Sequence, residues 1–303
     1  MFKNKKILIK TGYVCNSGCL FCWTKRFGNF YSTNLTTNQV IEKINLAKKT
    51  TNVDTIVLSG GEITIRKDLF TISKYIQNNN LKLAMGTNGR MFSNQKFLDE
   101  LIKYGLDFVQ ISYYSNIPEI HKKITQTDTH TQSISGIKNI IKAKINLLIN
   151  VVVHNLNINE ISKIANYLHS IGVNHINFSF VEPAGKAKTN LDLIPNIFDV
   201  SKKIKTIIKN SPKELNIYFE GIPFCLMKPF ENKYLDLTNR GIIYLTEAFE
   251  NKIFNVDHNN CEKFDLCNDC IKKNECPGHY TEYLNIINKE EFKERTKNLI
   301  FKD

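Results

Sequence analysis

The sequence predicts an α/β fold built on a parallel sheet. Short apolar runs alternate with amphipathic stretches through the first two-thirds of the chain, the strand–helix alternation repeats six times, and polar or Gly-rich residues repeatedly close the apolar runs. Such alternation implies right-handed β-α-β crossovers. The C-terminal edge of a parallel sheet is where α/β folds carry their chemistry.

In chain order, Ile7 to Lys10 reads as a first strand, and Val40, Ile44 and Ala47 mark a helix face by their spacing. Thr55-Ile56-Val57-Leu58 is a buried-type strand that ends at Ser59-Gly60-Gly61, and Leu81 to Met85 is the next, ending at Gly86-Thr87-Asn88-Gly89. Phe97, Leu98, Leu101 and Ile102 predict a helix, Asp107 to Ser112 a fourth strand and Ile145 to Val153 a fifth. Ile161, Ile164, Ala165 and Leu168 share a helix face, Ile176 to Val181 reads as a sixth strand, and Ile197, Val200, Ile204 and Ile207 form a last helix. A boundary near Asn210-Ser211-Pro212 divides the chain into 1–210 and a Cys-rich, less regular 211–303.

No run of about 18 apolar residues is present, so no transmembrane helix is expected. The apolar stretch at Ile7-Leu8-Ile9 is too short for a signal-peptide core, and a cytoplasmic location is expected. The net charge of +12 raises the question of nucleic acid, but the basic residues are scattered and their longest runs are pairs such as Lys48-Lys49. That pattern reads as a solvated basic surface.

Eight Cys stand at 15, 19, 22, 225, 261, 267, 270 and 276. In a reducing compartment such tight clusters point to metal rather than to disulfides. Cys15, Cys19 and Cys22 form C-x3-C-x2-C, with Phe21 before the last thiol. Three thiolates on one short loop can hold three irons of a cubane and leave the fourth iron open, a feature of reactive rather than structural centres. A structural zinc site would need a fourth ligand, and the nearest His, His121, is about 100 residues on.

This spacing directly after a first strand resembles the radical SAM family, whose fold is a partial (β/α)6 barrel. Gly60-Gly61-Glu62 is similar to the family's GGE motif, which holds the amino group of S-adenosylmethionine (SAM). Gly lets backbone carbonyls approach an ammonium, and Glu62 adds a countercharge. Asn88 within Thr87-Asn88-Gly89, Ser112 at the end of strand four, and Asn150 on strand five match family positions that reach SAM. Phe21 belongs to the same cofactor-binding set. His121 is matched in a subgroup, though a packed His fits equally, and Pro183-Ala-Gly185 resembles a loop near the adenine. The resemblance implies a SAM-binding [4Fe–4S] cluster on Cys15, Cys19 and Cys22 and reductive cleavage of SAM to a 5′-deoxyadenosyl radical. The catalytic residues of the substrate step are not legible.

Cys267-x2-Cys270-x5-Cys276, followed by Pro277-Gly278, looks like the C-terminal extension of SPASM/twitch relatives. That likeness implies a second, auxiliary [4Fe–4S] cluster on Cys225, Cys267, Cys270 and Cys276, with Cys261 spare or an alternative ligand. Tyr280 stands where the family's next Cys would be, and five Cys cannot build two four-Cys clusters. A four-Cys zinc knot of Cys261, Cys267, Cys270 and Cys276 is the competing reading. SPASM/twitch relatives favour a peptide or protein side chain as substrate. Small-molecule or cofactor biosynthesis comes second, RNA modification third, and a zinc-stabilised binding protein is the non-enzyme alternative. Implied partners are a one-electron donor such as flavodoxin or ferredoxin and a separate leader-peptide-binding protein; neither membrane nor nucleic acid is expected.

Overall fold

The computed structural model describes residues 5–301. Six parallel strands appear where the apolar runs predict them: β1 Lys6–Lys10, β2 Thr55–Ser59, β3 Lys82–Thr87, β4 Leu106–Ser112, β5 Asn146–Val153 and β6 His175–Phe180. Between them run α1 Thr37–Thr50, α2 Leu69–Asn78, α3 Gln95–Lys103, α4 Pro118–Thr125, α5 His130–Lys142 and α6 Ile161–Ser170, and α7 Ile197–Asn210 comes after β6. Helices α1 to α3 and α5 to α7 each bury an apolar face in the main core against the sheet. On α1 that face is Val40, Ile44 and Ala47, all fully buried, and the helix starts at a reciprocal cap between Thr36 and Gln39. The arrangement is the expected α/β partial barrel with a Cys-rich C-terminal region.

The segment after residue 210 extends this sheet at both ends. β7, Asn216–Glu220, pairs parallel to β6, while β8, Ile242–Thr246, pairs parallel to β1 and carries β9, Phe254–Asn255, antiparallel. The strand order is therefore β7-β6-β5-β4-β3-β2-β1-β8-β9.

Period-two alternation along the strands sorts side chains onto two faces. Ile7, Ile9, Ile56, Leu58, Leu83 and Met85 point toward the helices and join the main core. Leu8, Val57, Ala84, Phe108 and Leu148 point the other way and meet Leu235 and Ile242 from the C-terminal segment in a second, smaller core. The concave face is thus partly filled by that segment, and the unfilled part is a cavity lined by both. Among the described residues no helix is long and apolar enough to cross a membrane.

Candidate active site at the C-terminal edge of the sheet

The loop after β1 carries Cys15, Cys19 and Cys22 and is fixed from four directions. The Gly61 N–H donates to Gly12 O and the Glu62 N–H to Val14 O, both at 2.9 Å. A Cβ at Gly60 would lie 2.1 Å from Gly12 O, and one at Gly61 would lie 2.2 Å from Val14 O, so only glycine permits this approach. The end of α4 accepts the Gly18 N–H at Thr125 O and the Leu20 N–H at Ile124 O. From the loop after β6, the Lys186 N–H donates to Cys22 O at 3.1 Å and Lys186 Nζ to Gly18 O at 3.0 Å, while a Cβ at Gly185 would lie 2.4 Å from Cys22 O. Arg66 donates to Thr11 O at 3.0 Å and to Leu35 O at 2.9 Å. The 183–185 loop, expected beside the adenine, therefore packs on the backbone of the Cys loop and helps to shape it.

The three thiols lie within electrostatic reach of one another. Burial is the main cause that pushes the Cys19 thiol up to about 12, with Cys22 and Cys15 adding to it. Cys15 is exposed as a residue, yet the surrounding chain strips enough water from its thiol to push it up to about 11. Three thiols carried on one short loop form a donor set that fits a metal cluster held by thiolates. Among the described residues no three His, Cys, Asp or Glu side chains converge on one point to hold a single metal ion. Thiolates at three corners of a cubane bind different irons and need not converge.

Glu62, 3% exposed, is consumed by protein donors. Its Oε1 accepts the Thr64 N–H at 3.0 Å and the Thr64 and Thr87 hydroxyls at 2.5 and 2.6 Å, and its Oε2 accepts the Asn88 N–H at 2.7 Å. The carboxylate thus ties the ends of β2 and β3 together, a structural task that the motif, read as a countercharge for SAM, does not reveal. Glu62→Ala leaves buried donors unpaired, and a loss on the order of 3 kcal/mol, read as a Tm lower by roughly 6–12 °C, is expected. An unchanged anaerobic thermal melt would remove this structural role.

Asn88 reaches the Cys loop, donating from Nδ2 to Asn16 Oδ1 at 2.8 Å, and Arg90 donates to Asn16 O at 2.8 Å. Phe21 packs edge-on to Tyr114, centroids 5.2 Å apart, and lies against His154. Tyr114 is the residue that sequence reasoning misses: it is buried, and its hydroxyl interacts with both Cys19 and Ser112. Its only sequence signal is its place two residues beyond a strand end. His121 is buried among Tyr113, Tyr114 and His130, and burial drives it down to about 4, so it is a neutral packed His.

Asn150 stands deeper. Its Oδ1 accepts from Asn177 Nδ2 at 2.8 Å, and Asn177 Nδ2 also donates to Glu220 at 3.1 Å, while the single Ser179 hydroxyl proton has Asn150 Oδ1 at 2.8 Å and Glu220 at 3.1 Å as alternative acceptors. Glu220 pairs with Arg240, which also donates to Gln110 at 2.7 Å. This network floors a cavity of about 750 Å³ that opens beside Phe21 and is walled by β6, β7 and the C-terminal segment.

In that segment the Phe224 N–H donates to Cys276 Sγ at 3.4 Å. Cys225 lies within electrostatic reach of Cys276, Cys267 and Cys270, and mainly burial pushes it up to about 12. Cys261 also lies within electrostatic reach of Cys276, but Glu182 acts on it more strongly. It pairs across a two-residue ladder with Tyr280, lines the cavity, and is likewise pushed up to about 12, by burial first and then by Glu182.

The model of the radical SAM superfamily matches residues 9–168, slightly more than half of the chain. A Sulfurisphaera tokodaii protein named "Probable GTP 3',8-cyclase" is 27% identical over 227 residues, 73% of this chain and 71% of that protein. The crystal structure of Streptococcus suis SuiB bound to precursor peptide SuiA aligns with a TM-score of 0.57 at 15% identity, over 73% of this chain and 49% of that one. Native anSMEcpe with bound AdoMet aligns with a TM-score of 0.53 at 20% identity, over 67% of this chain and 60% of that one. This chain therefore spans about half of SuiB, and these likenesses concern the fold.

Proposed function

The chain belongs to the radical SAM superfamily, and on that premise we propose that it cleaves SAM reductively and takes a hydrogen atom from a peptide or protein side chain held in the cavity beside Phe21. The observation that carries this reading is the cavity itself, which opens next to the Cys15–Cys22 loop and is walled by the Cys-rich segment. When bound, the cluster and SAM supply the electron and the 5′-deoxyadenosyl radical that such chemistry needs.

The residues have distinct tasks in this proposal. Cys15, Cys19 and Cys22 hold the cluster, and Gly60 and Gly61 bring backbone close to the cofactor's amino group. Glu62 and Asn88 hold that edge rigid, while Phe21, Ser112 and Asn150 line the approach to the nucleoside. Tyr114 positions Cys19. The inner core around Leu8, Val57 and Phe108 keeps water from the concave face, which protects a reactive intermediate from other hydrogen donors. Residues 211–303 form the auxiliary segment, with Cys225, Cys267, Cys270 and Cys276 as ligands of a second [4Fe–4S] cluster and Cys261 free. A flavodoxin- or ferredoxin-like donor and a separate peptide-binding protein complete the reading, in the cytoplasm.

The curated relative's name supports a second reading, cyclisation of a nucleotide in cofactor biosynthesis. One experiment separates the two. Anaerobically reconstituted protein is incubated with SAM, reductant and either GTP or any short peptide found to be encoded next to its gene, with a degenerate peptide library as the alternative source. The peptide reading expects 5′-deoxyadenosine release to rise with one of those peptides, together with a mass loss of two hydrogens or uptake of one deuterium from D2O. GTP consumption coupled to 5′-deoxyadenosine would replace it with the nucleotide reading.

A further inference from the structure

The cavity reverses the charge of the molecule. The chain carries +12, yet the ionisable side chains lining the cavity are six carboxylates, from Glu182, Glu220, Asp236, Glu247, Glu250 and Asp257, against the three cations Lys10, Arg26 and Arg240. Counting these carboxylates and the Lys and Arg side chains alone, the difference is 3 − 6 = −3.

The cations are engaged. Lys10 pairs with Glu247 at 2.7 Å and lies 4.0 Å from the Trp23 ring centroid. Arg240 pairs with Glu220. The Arg26 guanidinium stacks on Trp23 at 3.4 Å. Asp236 in turn meets His258 at 3.0 Å. Glu182, just beyond the end of β6, has no ion pair within 4 Å among the described residues, and it accepts a hydrogen bond from Asn260 Nδ2 at 3.1 Å. Burial pushes its carboxyl up, with the nearby Glu220 adding to this and Asn260, Arg26 and Trp23 easing it. A desolvated carboxylate without a paired cation favours a ligand that brings one. A triphosphate would instead meet, once the Lys10–Glu247 and Arg240–Glu220 pairs are set aside, four carboxylates (6 − 2) against one cation, Arg26 (3 − 2).

We propose, on the reading that this cavity receives a peptide, that Glu182 recognises a lysine or arginine side chain of the substrate. The cation lies against Glu182 in the cleft between β6, Asn260 and Trp23. The acidic lining disfavours nucleotide phosphates, so the charge of the site selects against the second reading.

The test uses reconstituted protein with SAM, immobilised and exposed to a degenerate hexapeptide library whose ends are acetylated and amidated. Retained peptides are expected to be enriched in Lys and Arg over Asp and Glu by about 10-fold or more, the loss expected when one charge-assisted hydrogen bond is removed. This bias runs against the basic surface, which by itself would retain acidic peptides. Glu182→Gln at unchanged iron content is expected to lose the enrichment, and Glu182→Asp to keep its sign. Absence of enrichment, retention of acidic peptides, an unchanged bias in Glu182→Gln, or micromolar binding of GTP would each overturn the proposal. Reductive SAM cleavage is measured on the same preparation. If 5′-deoxyadenosine forms and no cationic bias is seen, only the Glu182 assignment fails. If lysine peptides are retained and no 5′-deoxyadenosine forms, the radical reading fails and the Glu182 assignment stands.

Discussion

Replacing Cys15, Cys19 or Cys22 by Ala is expected to abolish reductive formation of 5′-deoxyadenosine from SAM. A cubane left with two thiolate anchors is labile, so the expected loss is complete rather than graded. The three positions are not equivalent in their surroundings. The Cys19 thiol is enclosed and is met by Tyr114, whereas Cys15 is an exposed residue whose thiol alone is desolvated. Tyr114→Phe removes the hydroxyl at Cys19 while keeping the ring on Phe21, so a cluster that assembles but shows an altered EPR signal is expected. Undiminished 5′-deoxyadenosine in any single Cys variant would sink the assignment of these thiols.

The scaffold for that loop is legible in the sequence because its signals are local. β1 to β6 are short apolar runs closed by polar or Gly-rich residues, and Gly60 and Gly61 stand at a strand end where the close backbone approach requires them. The chain beyond residue 210 is less legible. β7 reads Asn-Ile-Tyr-Phe-Glu and β8 pairs with β1 across more than 230 residues, so neither its type nor its partner has a signal in the nearby sequence. The cavity charges are hidden for a similar reason. Glu182 stands just past β6, Glu220 closes β7, and Arg240 and Glu247 flank β8; only the folded sheet brings them to one lining. Glu62 is the opposite case. Its importance is visible in the motif, but its occupation by Thr64, Thr87 and Asn88 depends on how the ends of β2 and β3 meet.

The second large effect concerns the C-terminal thiols. If Cys225, Cys267, Cys270 and Cys276 hold a second [4Fe–4S] cluster, the reconstituted protein is expected to carry about eight iron atoms per chain, and the Cys15/Cys19/Cys22 triple Ala variant about four. The cluster left in that variant is expected to give an EPR signal that SAM does not perturb. Cys270→Ala is expected to lose the second cluster, since it removes the central thiol of the C-x2-C-x5-C run. Cys261→Ala is expected to keep it. Cys225 lies within electrostatic reach of Cys276, Cys267 and Cys270, whereas Cys261 shares Cys276 but is influenced first by Glu182, faces the cavity and sits in the ladder with Tyr280. A zinc knot makes the opposite demand, because it needs Cys261 and leaves out Cys225. One zinc and no iron in the triple variant, lost on Cys261→Ala and kept on Cys225→Ala, would replace the auxiliary cluster with a structural metal cap. The radical SAM sheet would be untouched by that result, but an electron path from the cavity wall would no longer be available, and with it would go the main support for oxidative chemistry on a peptide side chain.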